Sequence, residues 1–392
     1  MARSPRSEYL TPDESACAFV VCRSARTLLV TSCNRSDSTA DAHRVHFIEN
    51  LIRLFARYFC ISVHSHAVLP NELRLVLGTH PDVVQTLDDT EVARRWLSLC
   101  PTLRPLPLRS SEPTEEEIIA MCADSPNIAQ IRLRLSDISW FLRLLQQRIT
   151  LFCNREDKLT GRLWTDRYRL VVLLGNVARW LAMANVDLGA VCIDPGRPFS
   201  ASEFTSALLR LRDLQEAENN VPLAADPTNR SNADTTAAAM CQITNPNIAE
   251  SDLGPCHQRS RHLAPLHFHG DVSHPPTPST SFQSRCSDAP ATNLNTSEYF
   301  ELLEWIQRTF DGESAHSPPA WLSLLLRDIR LTAEALAAFV RNFDVLFSHV
   351  AGGPSKMDAF VTKSRRRKAW VTREARAWFQ RCQLQFSAAP LF

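Results

Sequence analysis

Glycine is scarce in this chain, 10 residues in 392, against 24 prolines. So thin a supply argues against the glycine-rich loops that cradle phosphates in P-loop nucleotidases and dinucleotide-binding folds, and the proline excess points to a proline-bearing linker. An excess of charge is also missing: 43 Lys and Arg face 42 Asp and Glu, a formal net charge of +1. No global field draws the protein to nucleic acid or to an anionic membrane, so any such binding is local. The twelve cysteines, at 17, 22, 33, 60, 100, 122, 153, 192, 241, 256, 286 and 382, include no CxxC pair and no zinc-ribbon spacing, and read as scattered reduced thiols. No apolar run approaches the roughly 18 residues of a membrane span. The opening MARSPRSEYLTPDESACAFVV has no continuous apolar stretch after its basic residues, so neither a secretory signal nor a membrane partner is expected, and the expected location is cytoplasmic.

What remains is an ordinary globular composition, 44% hydrophobic and 22% charged, in a chain long enough for more than one unit. Three zones separate. Residues 10–217 sustain apolar periodicity; residues 218–296 are rich in Pro, Ser, Thr, Asn and Ala and read as a disordered linker; residues 297–392 return to three- and four-residue apolar spacing and read as a small all-α domain with a basic tail, opening with Ser297 as N-cap.

Within the first zone, ACAFVVC and RTLLVTS read as a β-hairpin, and HRVHFIENLIRLFARYF as a helix with Phe47, Leu51, Leu54, Phe55 and Tyr58 on one side. ISVHSHAVL and LRLVLGT read as two strands joined at Pro70-Asn71, the second alternating Leu73, Leu75 and Leu77 with Arg74 and Val76. PDVVQTLDDTEVARRWLSL reads as one helix, SSEPTEEE as a charged insertion, and SDISWFLRLLQQRITLFCNR as a helix capped by Ser136. This order predicts an α+β fold, an antiparallel sheet covered on one face by helices.

The stretch LRLLQQRITLFCNREDKLTGRLWTDRYRLVVLL, with its aromatic-rich helix, Asn-Arg turn and TGRLW-x-x-R-Y segment, resembles the signature region of the REP-associated tyrosine transposases, single-tyrosine HUH enzymes of bacterial insertion sequences. AVLPNELRLVL sits where that family carries its metal strand, and PDVVQTLDDTEVARRW, RLSDISWFLRLL, EYFELLEWIQRTF and AWLSLLLRDIRLTAEALAAFVRNFDVLF are similar to a long-form branch of it. The resemblance implies a ferredoxin-like domain that binds single-stranded or hairpin DNA, as a monomer or a homodimer. It also implies a tyrosine that attacks a phosphodiester beside a divalent cation held by two histidines of one strand. Such spacing makes sense, because residues i and i+2 of a strand face the same way.

Here the chain departs from the pattern. The positions matching the two histidines are Glu72 and Arg74, and alignment of RWLAMANVDLGAV places Leu181 at the tyrosine. Glutamate can ligate Mg²⁺ or Mn²⁺; arginine cannot and repels a cation beside it, and leucine has no nucleophilic atom. The expectation is a catalytically degenerate DNA-binding relative, with no cofactor. Two rival readings stand beside it. One is an active metal-dependent enzyme rebuilt on His64, His66, Glu72 and Asn185, with Tyr168 as nucleophile; the other is a decayed protein without a ligand. Five histidines, 257, 262, 267, 269 and 274, cluster near Cys256 without regular ligand spacing.

The local basic groups point to DNA. Arg132, Arg134, Arg143, Arg148, Arg155, Lys158, Arg162, Arg167 and Arg169 are interleaved with Trp140, Trp164 and Tyr168, a mixture suited to phosphates and unpaired bases. Trp140 reads as a packing residue. The DNA-contacting set expected is Arg155, Lys158, Arg162, Trp164, Arg167 and Arg169, with a second run, Arg365, Arg366, Arg367 and Lys368, near the end of the chain.

Overall fold

The structure, a computed structural model, describes residues 10, 13–28, 38–103, 112–193, 204–219, 261–267, 284–312, 317–328 and 332–363. Its centre is a mixed α+β arrangement around a five-stranded open sheet of order β2-β3-β1-β4-β5. The strands are β1 (Cys17–Arg23), β2 (Ile61–Leu69), β3 (Glu72–Thr79), β4 (Arg169–Leu174) and β5 (Val350–Gly352). β1 pairs antiparallel with both β3 and β4, β2 pairs antiparallel with β3, and β5 runs parallel to β4. The expected hairpin of β1 with RTLLVTS does not form within the described residues: both edges of β1 are taken by β3 and β4, and residues 29–37 lie outside the described set.

Helices cover both faces of the sheet, where one covered face was expected. On the first face Ala18, Val20, Cys22, Leu73, Leu75, Leu77, Leu170 and Val172 pack against α1 (Ser38–Tyr58), α3 (Asp89–Leu99), α5 (Ser125–Leu135) and α6 (Ile138–Asp157). On the second face Phe19, Val21, Leu69, Val76, Val171 and Leu173 pack against α7 (Asn176–Asp187), α10 (Thr296–Phe310), α11 (Ala320–Asp328), α12 (Ala333–Arg341) and α13 (Phe343–Leu346). A strand buried on both sides reads as a continuous apolar run, which is why CAFVVC shows no alternation. Residues 297–392 therefore do not form a separate all-α unit where they are described. They supply β5 to the sheet, and their apolar helix faces are buried on it, each large side chain removed from water contributing about 1.5–3 kcal/mol. α14 (Pro354–Lys363) follows β5.

Local signals set the helix ends. Asp88 accepts from the Glu91 amide and divides the expected single helix into α2 (Pro81–Thr86) and α3. The charged insertion is itself the start of α4 (Glu115–Cys122), opened by a capping box of Thr114 and Glu117. Asp137, rather than Ser136, caps α6, and Asn295, rather than Ser297, caps α10 through a box with Glu298. In each case the residue that wins is one whose side chain reaches an otherwise unpaired amide of the first turn.

Two segments of the stretch expected to be disordered are part of the packed structure. His262, Leu263, Ala264 and Leu266 are buried, as are Cys286, Ala291, Thr292 and Leu294. Leu263 forms a parallel bridge with Val63, and the Ala264 amide donates to the Val63 carbonyl at 2.8 Å, so this segment lies along the outer edge of β2. Composition pointed away from order because the anchors are few; an open strand edge supplies the missing partners. No helix among the described residues is long and apolar enough to cross a membrane.

Gly78 on β3 illustrates how closely the sheet is packed. A Cβ there would lie 2.7 Å from His64 Nε2 and 2.8 Å from Ser62 Oγ, atoms of buried side chains. Gly78→Ala is expected to lower stability by about 1–3 kcal/mol, read as a lower urea midpoint at unchanged slope. An unchanged midpoint would show that the His64 ring is not fixed there.

Candidate functional site

Glu72 and Arg74, at i and i+2 of β3, point to the second face of the sheet, where α7 crosses them. Arg74 Nε donates to Glu72 Oε1 at 2.6 Å, and its Nη2 contacts the same oxygen. Its Nη1 donates to Asn185 Oδ1 at 3.0 Å and to the Asn185 carbonyl at 3.3 Å. The Asn185 amide in turn donates to the Val340 carbonyl of α12 at 2.7 Å. The other Glu72 oxygen lies 3.5 Å from Arg23 Nε, and Arg23 Nη2 donates to Asp344 of α13 at 3.2 Å. Asn185 is fully buried and Arg74 nearly so.

The α7 residue that faces the strand pair is thus Asn185. Leu181, aligned with the tyrosine position, packs one helical turn away in the apolar cluster of the second face. Helical phase was the available signal: positions four apart share a face, and 181 and 185 cannot be separated without knowing the height at which α7 crosses β3. Chemically the group is closed. Arg74 occupies the space between Glu72 and Asn185, holding the carboxylate and the amide oxygen that could otherwise ligate. A divalent cation does not fit this donor set, because it would have to sit against a fixed guanidinium.

His64 and His66 do not form a pair. A β-bulge between Val63 and Ser65 shifts the register, so Val63 stands opposite Leu77 while Ser65 stands opposite Val76. His64 lies on the second face, its Nδ1 3.5 Å from Cys17 Sγ and its Nε2 2.9 Å from Ser62 Oγ. His66 lies on the first face, 3.9 Å from Glu49 of α1 and beside the His262 ring at 5.6 Å between centroids. The expected i, i+2 geometry fails because the extra residue flips the side chains that follow it. Burial pushes the Cys17 thiol up to about 11, so its contact with His64 is not that of an activated nucleophile. Tyr168, in the cluster of the first face and 8% exposed, is separated by the sheet from Glu72. No group of three or more His, Cys, Asp or Glu side chains that could hold a metal ion occurs among the described residues. Of the linker histidines, His262 is buried and His267 exposed; Cys256, His257, His269 and His274 lie outside the described set.

The basic residues divide into two kinds. Several close backbone ends: Arg132 donates to the carbonyls of Val84 and Leu87 at 2.8 and 2.7 Å, Arg148 to that of Leu99, and Arg169 to that of Phe347. Arg134 and Arg143 stack on Trp140, their guanidinium carbons 4.4 and 5.0 Å from its ring centroid, which leaves that indole to packing. The second kind gathers at the end of α6. Lys158 adopts a left-handed conformation, φ 53°, that ends the helix, and Asn154 Nδ2 donates to the Gly161 carbonyl at 3.1 Å, folding the loop back. Glu156 and Asp157 are paired by Arg44 and Arg26. Arg155, Lys158, Arg162 and Arg167 are exposed around them, and Trp164, half-buried, donates from Nε1 to the Gln146 carbonyl at 3.1 Å. Arg365, Arg366, Arg367 and Lys368 lie outside the described residues.

No known family's sequence profile matches the chain, and no curated protein matches its sequence. A solved structure of a REP-associated tyrosine transposase bound to a REP hairpin aligns with 59% of this chain and 96% of its own, at 13% identity and a TM-score of 0.31, a score that does not show a shared fold.

Glu72→Gln leaves Arg74 nearly buried without its carboxylate and is expected to cost about 3 kcal/mol, whereas the double variant Glu72→Leu/Arg74→Met costs less than the single one. Urea unfolding of the three proteins checks this; a double variant at least as unstable as Glu72→Gln would contradict it. Burial, the largest cause, holds His64 and His262 well below the usual histidine range, with the guanidinium of Arg179 acting in the same direction on the first and that of Arg53 on the second. Unfolding restores their affinity for protons. Their contribution is therefore complete above the unfolded pKa of about 6.5 and is lost as pH falls toward the folded values. The urea midpoint should drop between pH 7.5 and 5.5, with a shallower drop in His262→Gln; a midpoint that is flat or rises on acidification would refute the assignment.

Proposed function

We propose that this chain is a catalytically degenerate relative of the REP-associated tyrosine transposases, binding single-stranded or hairpin DNA at the end of α6 without cleaving it. The observation that carries the reading is the Arg74 guanidinium, bonded to Glu72 and Asn185 at the two strand positions that align with the family's histidines. The motif resemblance of residues 142–174 supports the family. So does the order of the first four strands, β2-β3-β1-β4, all antiparallel and joined through α1 and the α2–α6 helices, which suits a ferredoxin-like core extended by β5 and the second-face helices. A location in the reducing cytoplasm belongs to the same reading and is in keeping with the free thiols of Cys17, Cys22, Cys60, Cys100, Cys122, Cys153 and Cys286.

DNA would meet Arg155 in the last turn of α6 and Lys158, Arg162 and Arg167 on the loop after it, all exposed, with Glu156 and Asp157 already paired. Exposed guanidinium and ammonium groups attract phosphates and release counterions, so binding weakens steeply with salt. Tyr168, the substitute nucleophile weighed from the sequence, is buried on the other side of the sheet from Glu72.

Fluorescence anisotropy of a labelled hairpin oligonucleotide, with a duplex of equal length as comparator, tests the reading. The hairpin should bind more tightly, with a salt slope near −2 for about three single-strand phosphate contacts. Arg155→Ala/Lys158→Ala/Arg162→Ala should reduce affinity on the order of tenfold and flatten the slope. Incubation with Mn²⁺ should yield no covalent protein–DNA adduct. An adduct lost on Tyr168→Phe would establish an active enzyme instead, and equal absence of binding to hairpin and duplex would remove DNA as the ligand.

A further inference from the structure

Residues 261–267 lie along the outer edge of β2, and a cluster of titratable groups is packed against them. His66 of β2 is fully buried and His262 of the segment only 3% exposed, with their rings 5.6 Å apart between centroids. Among the described residues no hydrogen bond reaches either ring nitrogen of His66 or Nε2 of His262. From α1, Glu49 approaches His66 Nε2 at 3.9 Å with one oxygen and His46 Nδ1 at 3.9 Å with the other; Arg53, one turn further on, has a buried Nε that is also unbonded. From α9 (Ser206–Asn219), the buried Arg210 donates through Nη2 to the carbonyls of His64 at 2.8 Å and Ala264 at 2.9 Å. Arg285, paired with Asp288, donates to the carbonyls of Arg261 and Leu263 at 3.3 and 2.9 Å.

The two ends of the segment are held differently. The carbonyls of Pro265 and Leu266 accept from the amides of Ala291 and Thr292 at 2.7 and 3.1 Å, bonds in which β2 has no part. On β2 the segment has the Leu263–Val63 bridge and the bond from the Ala264 amide to the Val63 carbonyl. Burial of Leu263, Ala264 and Leu266 favours docking, and three ring nitrogens that water would satisfy oppose it.

That balance depends on pH. Burial, the largest cause, holds docked His262 well below the usual histidine range, with the guanidinium groups of Arg53 and Arg210 acting in the same direction and the Glu49 carboxylate against it. Once released, the same imidazole returns to about 6.5. Docking is therefore at full strength above pH about 6.5 and is lost as pH falls toward the docked value. Glu49 offers a new imidazolium little, because its two oxygens already face His46 and His66.

We propose that residues 261–267 form an acid-released strap: a proton taken up by His262 frees the segment from β2 and opens the outer edge of that strand at Val63. An open strand edge carries unpaired main-chain groups, so release creates a pairing surface for another extended segment. The device stands apart from the DNA reading, since none of its groups belongs to the α6 loop.

Hydrogen exchange of the full chain by mass spectrometry at pH 7.5, 6.5 and 5.5, corrected for the intrinsic exchange rate at each pH, tests it. The opening constant of the peptide that contains the Ala264 amide should exceed that of β1 throughout and rise about tenfold from pH 7.5 to 5.5, the effect of one proton. His262→Phe and His262→Gln should remove the rise, whatever their level of opening at pH 7.5, and protection of β1 reports that both variants are folded. A pH-independent opening constant in the parent chain, exchange of the Ala264 amide only together with β1, or a tenfold rise retained in both variants would overturn the proposal.

Discussion

A sheet covered on both faces leaves its polar side chains no water to bond, and this constraint organises the protein. β2 alone carries Ser62, His64, Ser65 and His66, all buried. Their partners come from elements far along the chain. Ser206 Oγ lies 3.0 Å from Ser65 Oγ and accepts from the His66 amide at 3.2 Å, while donating to Asp187 at 2.6 Å; Tyr299 donates to the same carboxylate from α10. The Asp187 carboxylate thereby joins α7, the start of α9 and α10 over the outer strand. Such a group stabilises only while every member is bonded, because each orphaned buried partner costs about 1–3 kcal/mol.

Arginine is the residue with which the chain answers the same constraint elsewhere. Arg132, Arg148, Arg169 and Arg210 each donate to carbonyls at the ends or irregular points of other elements, and Arg74 does so at Asn185. A guanidinium suits this use because its donors form a rigid fork and keep their charge when buried. The number of arginines in a stretch is therefore a poor guide to a nucleic-acid surface. What distinguishes Arg155, Lys158 and Arg162 is exposure beside acids that are already paired.

Much of the fold was legible. Leu73, Leu75 and Leu77 alternate because they line one face of β3, and Pro70-Asn71 marks the turn before it. The replacement of two histidines by Glu72 and Arg74 was legible as well, since it depends on residue chemistry alone. The partner of that pair was legible in part: Asn185 was set beside Glu72 as a possible ligand, but Leu181 and Asn185 share one face of α7, and only the crossing height of α7 on β3 brings Asn185 to Arg74. His64 and His66 look like a metal pair under strict two-residue alternation; the bulge that divides them leaves no mark in SVHSHAV. Residues 261–267 and 284–295 read as linker because their anchors, among them His262, Leu263 and Cys286, are sparse, and sparse anchors suffice only beside a strand edge already in place.

The sequence by itself determined the local chemistry: that most of the core segments form strands or helices, and that the strand positions of interest hold a carboxylate and a guanidinium. Those properties follow from a few neighbouring residues and need no knowledge of distant parts. Tertiary structure alone decided that the C-terminal helices close the second face, that β5 joins the sheet, and that Arg74 meets Asn185 under Val340 while His262 meets His66. The reason is that burial on both faces, and the pairing of polar groups it enforces, depends on contacts between residues more than a hundred positions apart.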